Sequence, residues 1–407
     1  MMNEWGVIAP GYTGPRVRVA FFAEILTEGL DGAIRTMYQL IDRIDDSRFE
    51  FLFIYGEGPE NIKGHQSMSV PHVSLFVNSG YSLALPVLAE SRMKHALRKF
   101  APDVVHIATP SLLGNFGLNY ARQNGLPVMT IYHTHFISYI DYYFKHLPFL
   151  INSTRQLVVA RHKLFYNQCD RIYVPSESMK VELAEMGVQA HRMQIWKRGM
   201  DAGLFSPQKR NKKALRELTC NDNPTVLFAS RLVWEKNLET LFEVYDGMQN
   251  QNPVVNFVIA GDGSALKACK TRMPHAVFTG KVGHGQLSVL YASADIFLFP
   301  SVSETYGNVV LEAMASGLPC VIADGGGSAD FIEQGINGFK CRPYDAADYI
   351  EKISLTLANP LLAAQFAQKG LEYSGRLNWD DLAADYFDCL RELALNPLAE
   401  TELEVAG

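Results

Sequence analysis

The 407-residue sequence lacks several features that would place it in a specialised class of protein. No apolar run reaches the roughly 18 residues that a membrane-spanning helix needs, and the first residues lack the basic and then apolar pattern of a signal peptide. The six cysteines contain no C-x-x-C pair, which argues against a disulfide or zinc framework. The net charge of −6 argues against a nucleic-acid partner. We therefore predict a cytoplasmic protein with reduced cysteines.

What is present indicates a large α/β protein. Hydrophobic residues make up 48% of the chain and charged residues 20%, which is typical of globular proteins. Apolar runs alternate with helix-like segments from end to end: "VRVAFFA", "FEFLFIYG", "DVVHIA", "PVMTIYHT", "RIYVPS", "TVLFAS", "NFVIAG", "AVFTG", "IFLFPS" and "PCVIAD". This alternation predicts parallel sheets with right-handed crossovers. Because the runs are too many for one small sheet, we predict two doubly wound, Rossmann-like domains that face each other across a cleft.

The domain boundary is predicted where the alternation stops. The polar and basic interval "LFSPQKRNKKALREL" has the composition of a connection between domains. The first domain is therefore predicted over residues 1–204 and the second over residues 205–378. The terminal helical segment, residues 379–407, follows the last strand of the second domain and is predicted to pack back on the first.

The stretch "SETYGNVVLEAMASGLPCV" carries two carboxylates, Glu304 and Glu312, around a short turn. It follows an apolar strand and predicts a loop and a helix, with Asn308 as the N-cap and Gly317 as the left-handed residue at the end. The free N–H groups of the helix suit a phosphate, and carboxylates bind sugar hydroxyls. The pattern favours a nucleotide-sugar, although a solvated glutamate on a helix is the commoner explanation of such a pair taken alone.

Other candidate residues also follow predicted strands. Arg231 and Lys236 lie after "TVLFAS", where a guanidinium and an ammonium group can neutralise a diphosphate. Gly261 in "AGDGS" ends a further strand, but the motif is not a full G-x-G-x-x-G and no P-loop lysine follows, so it is a weak signal for a dinucleotide or ATP. Gly280 in "FTGKVGHGQL" ends another strand, where backbone groups could meet a nucleobase edge and a plain turn is an equally good explanation.

Two positions in the first half also attract attention. Gly32, which just precedes an amphipathic helix, permits close approach to a phosphate or sugar, although it could serve only to form a turn. His133 and His135 follow another strand. Because no third metal ligand lies nearby in the sequence, polar contacts with a substrate are favoured over a metal site.

Together these motifs resemble the retaining glycosyltransferases of family 4 (GT4), which have the GT-B architecture. The resemblance rests on Glu304-x7-Glu312, on Arg231-x4-Lys236, and on "YHTHF", "VPSESM", "WKRGMDAGLFSP" and "GDG". It spans most of the chain, from about residue 17 to the terminal helix. Within the family the chain looks most like the branch that holds lipid and cell-envelope mannosyl-, glucosyl- and sulfoquinovosyltransferases.

The resemblance implies a role for each candidate residue. Four are expected at the reacting end of the donor: His133 and Glu304 on the sugar, and Arg231 and Lys236 on the diphosphate. Seven are expected to bind the rest of the donor, with Glu312 on the ribose hydroxyls: Gly32, Gly261, Gly280, Tyr306, Gly307, Asn308 and Glu312. The loop before Gly32 departs from the family pattern, because Asp31 replaces the first glycine of a pair.

The implied reaction moves a hexose from GDP-mannose or a UDP-hexose to a hydroxyl of a lipid or glycan, with retention of configuration. The second half has no Asp-x-Asp pair, so the sequence predicts neither a metal ion nor another cofactor. Two alternatives stay open: a nucleotide-sugar 2-epimerase of the same architecture, and a nucleotide-sugar-binding protein without activity.

Two basic stretches of the first half, "SRMKHALRKF" and "KHLPFLINSTRQLVVARHK", contain no acidic residue. They predict peripheral contact with an anionic membrane on its cytoplasmic face. Each cation near such a surface contributes about 1 kcal/mol to binding. A solvated helix face is an equally good explanation. The cations are Arg92, Lys94, Arg98, Lys99, Lys145, Arg155, Arg161 and Lys163.

Overall fold

The structure of the chain, a computed structural model, describes residues 14–28, 32–74, 82–133, 148–249 and 254–396. Within these residues two parallel sheets, one in each half of the chain, are covered by helices on both faces. The predicted fold, two doubly wound α/β domains, is confirmed.

The first sheet has seven parallel strands. They are β1 (Val17–Ile25), β2 (Phe49–Glu57), β3 (Gln66–Ser69), β6 (Val104–Ile107), β7 (Val128–Ile131), β8 (Arg171–Val174) and β9 (Met193–Ile195), in the order β3-β2-β1-β6-β7-β8-β9. Two short strands, β4 (His72–Ser74) and β5 (Ser82–Ala84), pair antiparallel beside it. Its helices are α1 (Gly32–Ile41), α2 (Glu90–Phe100), α3 (Leu112–Gln123), α4 (Pro148–Tyr166) and α5 (Glu177–Glu185).

The second sheet has six parallel strands. They are β10 (Thr225–Ala229), β11 (Asn256–Ala260), β12 (Val277–Gly280), β13 (Ile296–Phe299), β14 (Cys320–Ala323) and β15 (Gly338–Cys341), in the order β12-β11-β10-β13-β14-β15. The helices are α6 (Lys212–Thr219), α7 (Leu238–Gln249), α8 (Leu266–Arg272), α9 (His284–Ser293), α10 (Asn308–Ala315), α11 (Ala346–Ala358), α12 (Pro360–Ser374) and α13 (Trp379–Leu395).

The central strands are buried on both faces, which explains why their sequences are continuous apolar runs. Every residue of β13 and β14 is buried, as expected for strands covered by helices on both sides. All ten runs predicted as strands are strands. Five short strands, β3, β4, β5, β9 and β15, were not predicted.

Each sheet has a point where its strand order reverses direction. In the first sheet this point lies between β1 and β6, and in the second between β10 and β13. Ligands of open α/β sheets bind beyond the carboxyl ends of the strands at such points. The loop after β1 leads to Gly32, and the loops after β10 and β13 carry Lys236 and Glu304. The topology therefore directs these candidate residues to the site.

The last helix, α13, returns to the first sheet. Trp196 Nε1, just after β9, donates a hydrogen bond to the carbonyl of Leu382 at 3.0 Å. The rings of Phe387 and Phe49 pack with their centroids 5.1 Å apart. Arg43 forms an ion pair with Asp380 at 2.7 Å. The chain thus crosses between the two halves twice.

Candidate active site in the cleft

Helix α10, which carries Glu312, begins at Asn308, and Gly307 occupies the cap position. Gly307 has a left-handed backbone with φ of 82°, and a Cβ atom there would lie 2.5 Å from the Cβ of Ser328. Both facts require glycine. The prediction of Asn308 as N-cap is therefore wrong by one residue, because the turn that enters the helix needs the backbone that only glycine adopts easily. Gly317 is left-handed, with φ of 70°, as predicted.

Lys236 and Glu304 form an ion pair where β10 and β13 separate. Lys236 Nζ donates to Glu304 Oε1 in a short contact, and Ser301 Oγ donates to the same oxygen at 3.2 Å. Lys236 is only 4% exposed. Two of the residues predicted for the reacting end of a donor are thus in direct contact, and in the protein alone each is the other's counter-ion.

Arg231 lies farther out on the loop that follows β10. Its guanidinium is 3.8 Å from Glu235 Oε1, and its side chain is 57% exposed. The Glu235 side chain is only 7% exposed, but an ion pair of this length with a mostly solvated cation is weak. The structure therefore leaves Arg231 free to reorient toward a ligand, whereas Lys236 is fixed.

His133 is joined to the second half of the chain through Arg198. Arg198 Nη2 donates to the carbonyl of His133 at 3.3 Å, and the Arg198 N–H donates to Tyr306 Oη at 2.8 Å. The His133 ring is buried and, among the described residues, neither of its nitrogens has a hydrogen-bond partner. Burial, and secondarily the charge of Arg198, lowers the pKa of His133 well below its usual range. A neutral imidazole with two unused nitrogens can bind a hydroxyl group.

The two halves of the chain also approach each other at Gly32. A Cβ atom on Gly32 would lie 3.0 Å from Asn308 Nδ2 and 3.6 Å from Arg198 Nη1. A larger residue at this position would crowd the Asn308 side chain of the other half, which is consistent with the glycine. His135 and residues 29–31 lie outside the described residues.

Glu312 is a buried carboxylate that contacts both halves of the chain. Tyr291 Oη donates to Glu312 Oε2 at 3.3 Å, and Arg35 Nη1 of α1 lies 3.5 Å from Glu312 Oε1. Burial raises the pKa of Glu312, while Arg35 and the hydrogen bond from Tyr291 lower it. A cavity of about 300 Å³ opens beside this carboxylate, and Gly32, Arg35, His284, Asn308 and Glu312 are among its lining residues.

Gly261 and Gly280 differ in why they are glycines. A Cβ atom on Gly261 would lie 1.9 Å from the carbonyl oxygen of Ser230, so packing between the ends of β11 and β10 explains this residue. Gly280 has a φ of 69°, and no atom lies within 4 Å of where its Cβ would be. Its left-handed backbone explains the glycine, and the space beside it is open.

Three residues of this site were not predicted: Arg35, Arg198 and Tyr291. Arg198 lies within "WKRGMDAGLFSP", which carries part of the resemblance, but the sequence indicates no role for it. Arg35 lies one helical turn after Gly32 and so on the same face of α1, which is a usable signal. The contact of Tyr291 with Glu312 depends on how α9 packs beside α10, and the sequence shows no sign of it.

The described residues contain no group of three or more His, Cys, Asp or Glu side chains placed to hold a metal ion. Over the same part of the chain, no helix has the length and apolarity needed to cross a membrane. All six cysteines are free.

The fold matches known glycosyltransferase structures. A crystal structure of Anabaena HepE in complex with UDP and glucose superposes with a TM-score of 0.72, at 19% identity, over 93% of this chain and 100% of that chain. A sucrose-phosphate synthase from Thermosynechococcus elongatus superposes with a TM-score of 0.73, at 20% identity, over 93% of this chain and 99% of that one. The two Rossmann-like domains and the cleft between them define a GT-B glycosyltransferase fold.

Sequence comparisons identify the family. The family model described as "Glycosyltransferase Family 4" matches residues 30–204, and "Glycosyl transferases group 1" matches residues 209–373. A GDP-mannose-dependent alpha-mannosyltransferase of Mycolicibacterium smegmatis is 31% identical over 80% of this chain and 86% of its own length. A sulfoquinovosyl transferase of Arabidopsis thaliana is 31% identical over 72% of this chain and 58% of its own length. The chain belongs to glycosyltransferase family 4, and it is an enzyme of that class.

Proposed function

We propose that this enzyme transfers a hexose from a nucleotide-diphosphate sugar to a hydroxyl of a lipid or glycan, with retention of configuration and without a metal ion. The observation that carries the proposal is the grouping of Lys236, Glu304 and Glu312 around the N-terminus of α10. A helix N-terminus binds phosphate groups, and the flanking carboxylates bind hydroxyl groups. This order of groups matches a sugar, a diphosphate and a ribose.

Each part of the donor then has a partner in the cleft. Glu312 accepts hydrogen bonds from the ribose hydroxyls, and Glu304 accepts them from the sugar. Tyr306, Gly307 and Asn308 offer backbone N–H groups, while the Tyr306 side chain is anchored on Arg198. Gly280 leaves open space beside its backbone that could accept the edge of a base.

The chemistry requires that negative charge on the leaving diphosphate be stabilised. Lys236 and the N-terminus of α10 supply a fixed positive charge and fixed dipoles there, and Arg231 can reorient to add a second charge. The acceptor oxygen forms its bond to the anomeric carbon as the bond to the phosphate oxygen breaks, and that phosphate oxygen takes the acceptor's proton. Because His133 stays neutral, it can hold a sugar hydroxyl without adding charge. Closure of the cleft would exclude water, which competes with the acceptor.

The names of the relatives indicate which donor to test first and favour one of the candidate functions. The mannosyltransferases of Mycolicibacterium smegmatis and Mycobacterium tuberculosis, the latter 32% identical over 78% of this chain, are named for GDP-mannose. GDP-mannose is therefore the first donor to test, with UDP-hexoses next. These two relatives and the sulfoquinovosyl transferase are all named as transferases, which favours transfer over epimerisation or binding without activity.

The surface of the first half supports a lipid acceptor through helix α4. This helix contains no acidic residue, and Leu157 and Leu164 are 56% and 66% exposed. Arg161 is exposed on the same helix. Exposed leucines among cations suit the surface of an anionic bilayer. We propose that α4 rests on such a membrane.

Helix α2 is a weaker candidate for membrane contact. It begins at Glu90, just before the stretch without acids, and Lys94 forms an ion pair with that residue at 2.7 Å. Its apolar residues Met93, Leu97 and Phe100 are buried. The helix therefore presents a solvated basic face and no apolar surface. Lys145 lies outside the described residues.

We also propose that the domains follow the sheets, with residues 1–204 on the acceptor side and residues 205–378 on the donor side. The packing of α13 against the first sheet supports the assignment of residues 379–396 to the first domain.

A thermal-shift panel of UDP, GDP, ADP and their sugars tests the proposal, followed by turnover with each stabilising donor. A ligand at 100 times its dissociation constant stabilises the folded protein by about 2.7 kcal/mol. Stabilisation by one nucleotide series, and transfer of its sugar to a lipid or glycan, are expected. Stabilisation by none would contradict the donor site, and formation of an epimer from donor alone would favour the alternative enzyme.

A further inference from the structure

The donor carboxylate Glu312 has a counter-ion from the other half of the chain. Arg35, in the first turn of α1, lies 3.5 Å from Glu312 Oε1, and its Nη1 atom is 2.7 Å from His284 Nε2. The Arg35 side chain is 37% exposed, whereas the Glu312 side chain is 5% exposed. A partly solvated cation thus covers an almost fully buried anion across the cleft.

The contact constrains the chemistry of His284. The guanidinium of Arg35 has only donors, so His284 Nε2 must be the acceptor, and the imidazole is neutral with its proton on Nδ1. Burial, with Arg35 as the second cause, lowers the pKa of His284. His284 therefore holds Arg35 in place without competing with Glu312 for its charge.

The contact also leaves Glu312 capable of binding a ligand. A carboxylate has about four lone-pair sites, and Tyr291 and Arg35 approach one oxygen each. The cavity beside Glu312 is lined by atoms of both halves of the chain. A diol, such as the ribose of a nucleotide, can therefore bind while Arg35 stays in place.

We propose that Arg35 is a positioning residue for the donor: it keeps the Glu312 carboxylate ionised and oriented for ribose hydroxyls, so that nucleotide affinity depends on α1 being docked against α10. This inference rests on the proposed nucleotide-sugar function. Without Arg35, only the hydrogen bond from Tyr291 would oppose the effect of burial on Glu312, and a protonated carboxyl group accepts hydrogen bonds poorly. Since nucleotide and docked α1 each favour the same state, each should strengthen the binding of the other.

Other titratable groups line the same cavity, so the pH response must be assigned to Glu312. Those groups are Glu28, Tyr38, Asp42, Asp201 and His284. The variant Arg35→Met tests the proposal, and Arg35→Lys should restore part of the effect. Arg43→Met is the matched control, because Arg43 follows the same helix but forms its ion pair with Asp380. Adding Glu312→Gln to Arg35→Met removes the group that is expected to titrate.

Binding of UDP and GDP is measured by calorimetry between pH 5.5 and 8.5. At pH 7.5 we expect Arg35→Met to bind the preferred nucleotide roughly tenfold more weakly, the scale of one charge-assisted hydrogen bond to a partly solvated group. The fall in affinity toward low pH should begin at a higher pH than in the wild type. In Arg35→Met with Glu312→Gln the part of the pH dependence that comes from Glu312 should disappear, which leaves the titration of the nucleotide's own terminal phosphate, and Arg43→Met should match the wild type.

The outcomes separate this inference from the proposed function. Wild-type protein that binds neither nucleotide would contradict both. Wild-type binding with an unchanged affinity and pH profile in Arg35→Met would overturn the inference alone. Tighter binding by Arg35→Met would also overturn it, because Arg35 would then be blocking Glu312. Unfolding curves are recorded for each variant. Because the Arg35 side chain is partly exposed, its substitution is expected to leave the fold intact.

Discussion

Lys236 and Glu304, 68 positions apart, form a largely buried ion pair at the point where the strand order of the second sheet reverses. One partner follows β10 and the other follows β13, so the pair exists because these two strands are neighbours. In the free protein the pair satisfies both charges. When donor binds, the same groups would meet a diphosphate and a sugar hydroxyl.

The pair should affect stability and activity differently. In Glu304→Gln the buried Lys236 loses its counter-ion, which costs about 3 kcal/mol of unfolding free energy, and Lys236→Met should cost less because Glu304 is partly exposed. The double variant should recover most of this loss, because no lone charge remains. Its transfer rate should stay roughly 10² to 10³ below the wild type, since a preorganised electrostatic contact is gone. Chemical denaturation and a transfer assay measure the two quantities.

Lys212→Met is the control for this series. Lys212 pairs with Asp295 at 2.8 Å, but both side chains are substantially exposed. Such a surface pair contributes about 1 kcal/mol or less. Its removal should leave transfer unchanged. Normal transfer by Lys236→Met would rule out the assigned role.

Transfer should continue in EDTA. The second half of the sequence has no Asp-x-Asp pair, and in the proposed function Lys236 and Arg231 neutralise the diphosphate. Rates measured with and without chelator, at matched ionic strength, are expected to agree. Activity lost on chelation and restored by Mg²⁺ or Mn²⁺ would show that the phosphate site works differently.

The hydroxyl group of Tyr306 should contribute to both stability and activity. It accepts from the Arg198 N–H at 2.8 Å and donates to the Arg198 carbonyl at 3.1 Å, which links the two halves of the chain. Tyr306→Phe removes two hydrogen bonds to the buried backbone of Arg198 and should cost about 1–3 kcal/mol of unfolding free energy. The transfer rate should also fall, because the Arg198 side chain donates a hydrogen bond to the carbonyl of His133 and so helps to hold that residue in place.

Tyr245→Phe provides the comparison for this prediction. Tyr245 Oη accepts from the His275 N–H at 3.1 Å, within the second half of the chain and away from the cleft. Loss of this hydrogen bond should lower the free energy of unfolding by a similar amount and leave the transfer rate unchanged. Equal transfer by both variants would mean that the Tyr306 link has no role in the reaction.

The strands and the donor motif were predictable because their causes are local. Strands buried on both faces, such as β13 and β14, must be continuous apolar runs. Glu304 and Glu312 are likewise close in sequence. Their positions around one strand, turn and helix follow from the turn residues between them.

The missed features depend on contacts between distant segments. Strand β9 has only three residues, and β15, like β9, contains a polar side chain (Lys340 in β15 and Gln194 in β9), so neither forms a continuous apolar run. The contact between Arg35 and Glu312 requires both sheets to be placed first. Residue types alone could not distinguish Arg35 from an ordinary exposed arginine.

The buried imidazole of His106 should make the free energy of unfolding decrease as the pH falls. His106 is fully buried, stacks on Phe21 with ring centroids 4.3 Å apart, and contacts Tyr386 Oη at 3.2 Å. Burial lowers the pKa of His106 to about 3. The unfolded chain takes up this proton near pH 6.5 and the folded chain does not, so stability is lost as pH falls below about 6.5. The cost is about 1.4 kcal/mol per pH unit.

In His106→Gln the free energy of unfolding should depend less steeply on pH between pH 6 and pH 5. The slope should be smaller by about 1.4 kcal/mol per pH unit. The lowered pKa of His133 acts in the same direction, so part of the wild-type slope should remain. His191→Gln, which removes an exposed imidazole, is the matched control and should keep the wild-type slope. An unchanged slope in His106→Gln would show that His106 is protonated in the folded state.

Co-sedimentation with vesicles tests the membrane contact of α4. Vesicles with anionic lipid should bind the wild type more than neutral vesicles do, because Arg161 and its neighbouring cations add about 1 kcal/mol each. The variant Leu157→Glu with Leu164→Glu should lose this binding, since both side chains are exposed on α4. Leu361→Glu, on α12 in the second half, changes a leucine that is 84% exposed and should bind like the wild type. Equal and negligible binding to both kinds of vesicle would leave a soluble acceptor as the explanation, because the basic helix would then be an ordinary solvated face.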